Sequence, residues 1–573
     1  MRGVFATLTI LATACMSARS RPVLTTTAEQ TAYARTGRYD EAVRLCRDFA
    51  RAYDDAHCDE IGTTLQGRPL VALTVRRRAD VPLILVQAGI HAGEIEGKDA
   101  GFAFLRDLLD GKVAPGALDH VGVVFVPVLN PDGHERFAKN HRPNQRGPEE
   151  MGFRTNATRL NLNRDYVKMD SAEIAALLAL ITRVDPVMLV DLHATDGAKF
   201  EHDIAVMTAP LAPREDELEE TASALSEAVV ARLTALGHLP LDFYPSFVDE
   251  ERPHSGFRRG EPPPRFSSSY IATRNRIGVL VETHSWRTYA ERARSTYHTL
   301  QAILEEATRS ATRWAELTRT ADRAAAGLAG REVTLAWDVG TESRELAFRG
   351  YAYERRLSEL TGGTWLVYDE TRPEIWTVPL YDQLVPGATI TAPSGGYVVD
   401  GGYAHLVRDL LDRHGIRYTP AGEHEVDVEV FRATKREFLP PFEGRTRVEL
   451  EGAWAPERRR LDVGAIFVPI KQPNARLVMH LFEPSLPDAL VRWGVFNPVF
   501  ERKEYIEPYV LEQAAREMLE DPAVRAEYEA ALADDPALAE STERKLDWFY
   551  RRHPAWDERL DLVPVYRVAR ELR

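Results

Sequence analysis

Three short stretches hold the side chains with which this 573-residue chain could do metal chemistry. The apolar run 82–90 ends at His91-Ala92-Gly93-Glu94, and a helical pattern follows. A His and a Glu three residues apart can converge on one ion where a strand turns into a helix, because i and i+3 side chains share a helix face. Gly89 and Gly93 allow the tight backbone such a turn needs. A second run, Val187-Met188-Leu189-Val190-Asp191-Leu192, ends at His193, and a third, Ile277-Gly278-Val279-Leu280-Val281, ends at Glu282. Two histidines and one glutamate leave a fourth position for water, the donor set of an open, catalytic zinc site rather than a closed structural one. The His-x-x-Glu spacing alone says little, since His57 with Glu60 and His480 with Glu483 repeat it. The first repeat lies in a polar stretch with no apolar strand leading in. The second lies within 477–483, which reads as a strand, where residues three apart point to opposite faces.

The elements that must position these groups follow from the pattern around them. Strand-like runs at 83–88, 121–129, 187–192 and 278–281 alternate with helix-like stretches at 97–109, 171–182 and 216–236. That alternation is the signature of an α/β layered domain, and ligands in open α/β sheets gather beyond the carboxyl ends of strands, where His91, His193 and Glu282 all stand. A solvated helix over 308–332 closes this half, so the reading places one domain over 30–328 and an ancillary region over 330–573. The ancillary region shows short alternating segments (334–337, 364–368, 376–378), further strands over 426–484 and a charged helical stretch over 507–551. Its aromatics, such as Trp493 and Trp548-Phe549-Tyr550, read as packing residues.

Composition narrows the function classes. With 72 Lys+Arg against 87 Asp+Glu the net charge is −15, and no basic cluster offers a footprint for nucleic-acid phosphates. Hydrophobic residues at 44% and charged residues at 28% exclude wholesale disorder. Three cysteines exclude a disulfide scaffold and a Cys-rich zinc module. Residues 1–20 read as a secretory signal: Arg2, an apolar run over 4–14 and a small-residue site at Ala12-Thr13-Ala14. Cys15 stands where a bacterial lipobox places its lipidated cysteine, with Ala12 where Leu is usual, so a lipid anchor is one expectation and periplasmic or secreted release the other. No later stretch reaches the length of a membrane span. Cys46 and Cys58 remain, either as a disulfide formed on export or as two thiols.

Together, His91-Ala92-Gly93-Glu94, Asn130-Pro131-Asp132-Gly133, Asn163-Arg164, His193 and Glu282 stand in the order and rough spacing of the zinc carboxypeptidases of the carboxypeptidase A type, which the chain resembles over about 35–310. The resemblance implies an α/β/α domain with a mixed, mainly parallel eight-stranded sheet. It implies one Zn2+ per chain on His91, Glu94 and His193, and Glu282 as the catalytic glutamate. It also implies Arg154 polarising the scissile carbonyl, among Arg142, Arg146 and Arg159 of the same stretch. Asn163 and Arg164 match the pair that grips the terminal carboxylate of a peptide substrate. The family's Asp two residues before that pair is here Asn161, so an amide would orient the ligand histidine. Asp191, two residues before His193, could orient a histidine instead. For the tyrosine that caps the substrate, Tyr270 is the first candidate and Tyr244 the second. His134 and His284, beside the motifs, read as supporting residues. The implied activity is that of an exported metallocarboxypeptidase, with a sandwich-like C-terminal module narrowing the active site. The competing readings are a zinc amidase or endopeptidase on cell-wall peptides, and a non-catalytic peptide- or glycan-binding protein.

Overall fold

The computed structural model describes residues 23–214 and 216–572; the signal-like stretch and Cys15 lie outside the described residues. Ten strands belong to the first half: β1 (Ala56–Thr63), β2 (Pro69–Val75), β3 (Leu83–Ala88), β4 (Gly122–Val126), β5 (Met188–Ala194), β6 (Ile204–Ala209), β7 (Pro240–Leu241), β8 (Ser246–Phe247), β9 (Phe257–Arg258) and β10 (Ile277–Thr283). Eight of them form one mixed sheet in the order β1-β2-β4-β3-β5-β10-β6-β7. Its centre, β4-β3-β5-β10, is parallel, while β2 meets β4 and β6 meets β10 antiparallel.

The parallel centre is covered on both faces, which is why its strands read as unbroken apolar runs. Alternate side chains enter different layers. Ile84 and Val86 of β3, Val123 and Phe125 of β4, and Val190 of β5 pack under the helices Tyr39–Ala52, Glu96–Leu109, Leu218–Ala235 and Tyr289–Ala326. Leu85, Val124 and Leu189 face the helix Ala172–Val184 on the other side, through Ile174, Leu177, Leu178 and Ile181. Each such fully buried side chain contributes about 1.5–3 kcal/mol. Local signals set the helix starts: Ser171 accepts the Ile174 N–H, and Thr288 with Glu291 forms a reciprocal capping box. A disulfide joins Cys46, on the first long helix, to Cys58 on β1. No helix among the described residues is long and apolar enough to cross a membrane.

The second half adds β11 (Glu332–Val339), β12 (Arg344–Leu357), β13 (Thr364–Tyr381), β14 (Leu384–Thr391), β15 (Gly396–Val399), β16 (Thr419–Pro420), β17 (Glu425–Phe438), β18 (Val448–Arg460), β19 (Ile466–Pro469) and β20 (Leu562–Val568). A six-stranded sheet runs β16-β19-β15-β20-β17-β18, and β11 pairs with β14. The long β12–β13 hairpin does not stand apart. It completes a four-stranded sheet with β9 and β8, over a core that mixes Phe200, Phe243 and Phe257 with Phe348, Trp376 and Leu380. The hydrophobic layer beneath the helix Ala172–Val184 likewise continues through Tyr397, Val399, Leu411, Leu477 and Phe482. The segment expected as a strand over 477–483 is instead the helix Ala475–Phe482. A short, mostly apolar run fits either period, and here residues 477–482 are all buried, His480 included.

Candidate active site

The carboxyl ends of β3, β5 and β10 meet at one pocket. Gly89 leaves β3 with φ +63°, a left-handed turn that brings His91 and Glu94 back over the sheet end. The register of β5 against β10 sets His193 directly opposite Glu282. His91, Glu94 and His193 each offer one ligand atom, all within 4.8 Å of one another, and all three residues are buried. His91 Nδ1 lies 3.0 Å from Glu94 Oε1, and His193 Nδ1 lies 2.9 Å from Glu94 Oε2. Among the described residues His91 Nδ1 makes no hydrogen bond, although it is buried. A buried ring nitrogen left without a partner beside a carboxylate and a second imidazole suits a divalent zinc ion, and the donor set is of the open three-ligand kind.

The far side of each histidine is held. His91 Nε2 donates to Asn161 Oδ1 at 3.0 Å, and His193 Nε2 lies 2.8 Å from Asp191 Oδ2. These contacts aim both Nδ1 atoms at the common point. Asp191 is itself fixed by the Ser267 hydroxyl at 2.5 Å. Glu94 is steadied by Arg142, 2.9 Å away and buried, with Arg154 at 3.4 Å and half-exposed to the pocket. Gly93 makes room for this, since a Cβ there would sit 2.5 Å from Arg142 Cγ and 2.7 Å from the Gly152 carbonyl oxygen. Burial resists ionisation of Glu94, but Arg142 and His91 outweigh it and hold its carboxyl well below the usual range. Burial pushes His91 down to about 4. His193 is driven the other way: burial opposes its charge, yet Asp191 and Glu94 raise it well above the ordinary histidine value.

Glu282 behaves differently from Glu94 although both are buried. Burial, with Glu94 and Asp196 nearby, pushes it up to about 8 against the pull of His193. Its Oε2 makes no hydrogen bond among the described residues. A cation on the three ligands draws such a group back toward its ionised form.

The pocket has a volume of about 570 Å³ and is lined by these groups together with Arg154, Asn163, Arg164, Tyr244, Arg258, Glu261 and Phe266. Arg164 lies over the Phe266 ring at 4.0 Å and donates to the Asn163 carbonyl at 2.7 Å. Burial, Arg154 and Arg265 all disfavour its charge, so the guanidinium stands in positive surroundings that an anion would relieve. Asn163 is placed by two bonds: its N–H donates to Asn161 Oδ1 at 3.0 Å, and its Oδ1 accepts the Ser267 N–H at 3.1 Å. Asn130 ties the walls together, donating to the carbonyls of Ile90 (3.3 Å) and Arg154 (3.2 Å).

Seven of the eight residues expected from sequence therefore line one pocket, and Tyr270 does not. Tyr270 is wholly buried beneath the site, its hydroxyl 2.8 Å from His414 Nδ1 and 3.1 Å from Arg274, within the layer shared with the second half. It cannot reach a ligand from there. Tyr244 lines the pocket instead, its hydroxyl donating to Asp196 Oδ2 at 3.3 Å. His134 is buried between the carbonyls of Ala92 and Gly37, and His284 stacks on Phe200 at 4.1 Å. The two look-alike pairs hold nothing in common: His57 sits beside Asp59, and Glu483 is taken by Arg567 and Tyr397. A second cleft of about 590 Å³ at the opposite ends of the strands, lined by Asp55, Arg183 and Arg276 among others, contains none of these groups.

Fold and site thus define a mixed α/β domain with a His-Glu-His group at its strand ends that could hold a metal ion. Residues 42–235, about a third of the chain, match the family model described as zinc carboxypeptidase. A curated relative in Arthroderma benhamiae, named "Probable carboxypeptidase 2", is 28% identical over 155 residues, covering 26% of this chain and 27% of that protein. The match thus spans about a quarter of that relative's length. Among solved structures, a metallo-carboxypeptidase from Burkholderia cenocepacia aligns at 19% identity over 46% of this chain and 68% of its own, with a TM-score of 0.36. Carboxypeptidase A from Helicoverpa armigera aligns at 14% identity over 49% and 75%, also with a TM-score of 0.36.

Proposed function

We propose that the protein is an exported zinc metallocarboxypeptidase that removes the C-terminal residue of a peptide. The observation that carries this reading is the joint occupancy of one pocket by the three candidate ligands, an unpartnered Glu282 oxygen and the Asn163–Arg164 pair. Zinc in such a site supplies a Lewis acid that acidifies water and polarises a carbonyl. The chain's own residues do the rest. Glu282, a pocket-lining residue whose Oε2 makes no hydrogen bond among the described residues, takes a proton from water and returns it to the leaving amine. Arg154, charged and half-exposed beside Glu94, stabilises the developing oxyanion. Arg164 presents a planar fork to the terminal carboxylate, with Asn163 alongside, and this selects for a free C-terminus. Tyr244, on the pocket wall near Glu282, takes the capping role that Tyr270 cannot. Export is supported by the signal-like residues 1–20 and by the Cys46–Cys58 bond, which belongs to an oxidising compartment.

The test is zinc content per chain by plasma mass spectrometry on protein purified without chelators, with hydrolysis of a peptide panel. Near one zinc per chain, lost in His193→Ala, and hydrolysis abolished in Glu282→Gln at unchanged zinc content is the expected result. Zinc-free protein after supplementation, or an active Glu282→Gln, overturns the reading.

A further inference from the structure

The β17–β18 hairpin ends in a turn that touches the first half of the chain. Phe442 and Arg445 exchange both backbone hydrogen bonds, 2.9 and 3.1 Å, so Glu443 and Gly444 are the two central residues. Both are left-handed, with φ +47° and +77°. Such a turn favours Asn, Asp or Gly at its first central position, and a glutamate there carries a conformational penalty those residues avoid. A side chain held in an unfavourable backbone region points to something the surroundings gain from it. Here Glu443 Oε2 accepts the Asn161 N–H at 2.8 Å, across 282 positions of sequence. Asn161 Oδ1 in turn receives both the His91 Nε2–H and the Asn163 N–H, at 3.0 Å each. The same turn is seated by Arg445 on Asp170 and by Gly444 against Leu160, where a Cβ would lie 3.1 Å from the leucine. Glu443 is also the first group to offset the positive surroundings of Arg164.

We propose that Glu443 is a positioning residue for both halves of the site, acting through Asn161 on His91 and through Asn163 on the carboxylate-binding pair. The second half of the chain would then tune metal and substrate binding through a single carboxylate that never touches either. The inference rests on the zinc-site reading above, and the experiment separates the two.

Glu443→Gly removes the carboxylate and the backbone penalty together. Glu443→Asn suits the left-handed turn equally but is too short to reach Asn161. Glu443→Gln keeps an acceptor oxygen at the same reach. Zinc affinity is read on metal-stripped protein by competition with a chromogenic chelator, alongside melting temperature and steady-state kinetics on a peptide with a free C-terminus. In the Gly and Asn variants zinc binding should weaken by about threefold to tenfold, the low end for groups beyond the ligands themselves. KM should rise by a similar factor, with the melting temperature equal to or above wild type. The Gln variant should recover most of both. Wild-type zinc affinity and KM in folded Gly and Asn variants overturn the proposal, because a turn residue with only a structural role improves when its strain is removed. Wild-type protein that binds no zinc overturns the reading of the site, and the proposal with it.

Discussion

Arg164→Ala tests the exopeptidase reading most directly, because the pocket gives this residue one task. Its guanidinium is stacked on Phe266 and, among the described residues, donates to the Asn163 carbonyl alone, which leaves most of its five donors for a ligand. A carboxylate gripped by two charge-assisted hydrogen bonds at about 1.5 kcal/mol each loses about 3 kcal/mol with the arginine. That corresponds to ~150-fold in kcat/KM for a peptide with a free C-terminus. An amidated peptide has no charge to lose and should change by less than about threefold. Arg164→Lys should fall between, since it keeps the charge and loses the fork. Burial, Arg154 and Arg265 all work against the charge at this position, so removing it should leave the melting temperature unchanged or higher. The assay is paired initial rates on free and amidated forms of one peptide, with a melting curve for each variant. An unchanged preference for the free carboxylate in a folded Arg164→Ala protein would refute the role.

Three further outcomes follow from the same structure. In chelator-treated protein, Glu282 is raised from 4.5 to about 8, so its contribution to stability is full below the lower value and lost as pH climbs through the upper one. Calorimetric midpoints should therefore fall more steeply between about pH 4.5 and pH 8 in wild type than in Glu282→Gln, and parallel curves would sink the assignment. Lys98, wholly buried, donates to Glu41 at 3.1 Å and Asp99 at 2.8 Å; Lys98→Met strands both carboxylates and should cost about 3–5 kcal/mol, read as a lower urea midpoint. The Cys46–Cys58 bond closes a loop with a sequence separation of 12, so the double serine variant should lose about 2–3 kcal/mol. Alkylation of unreduced protein followed by mass analysis should find neither thiol free.

What the sequence made legible is the part that depends on short-range pattern. The runs ending at His91, His193 and Glu282 are strands buried on both faces, so composition alone marks them and their ends. The run over 477–482 is apolar but for His480, and at that length nothing in it distinguishes a buried helix from a buried strand. Tyr270 misled because spacing along the chain carries no information about direction. It lies on the helix Ser267–Thr273, whose Ser268 lines the pocket while Tyr270 points into the core. The resemblance implied that Asn161 orients a ligand histidine, but nothing in the sequence paired Arg142 with Glu94, since the two meet through a loop. Glu443 and Glu370 lay further out of reach. Glu443 is tied to Asn161, and Glu370 to Arg146 and Lys199 at 2.7 Å, by a docking of two hairpins that no local pattern announces.

The apolar layer that passes from Leu177 and Tyr270 to Val399, Leu411 and Leu477 has a consequence for how the chain comes apart. Among the described residues, 327–331, between the helix ending at Ala326 and the strand beginning at Glu332, are where the backbone crosses from one half to the other. A protease that cuts there severs the backbone without separating the surfaces on either side. The two fragments should stay together through gel filtration and part only in denaturant, so the molecule can be nicked but not divided. The same shared layer means that neither half can be transplanted alone: the first half expressed by itself would present that apolar face to water.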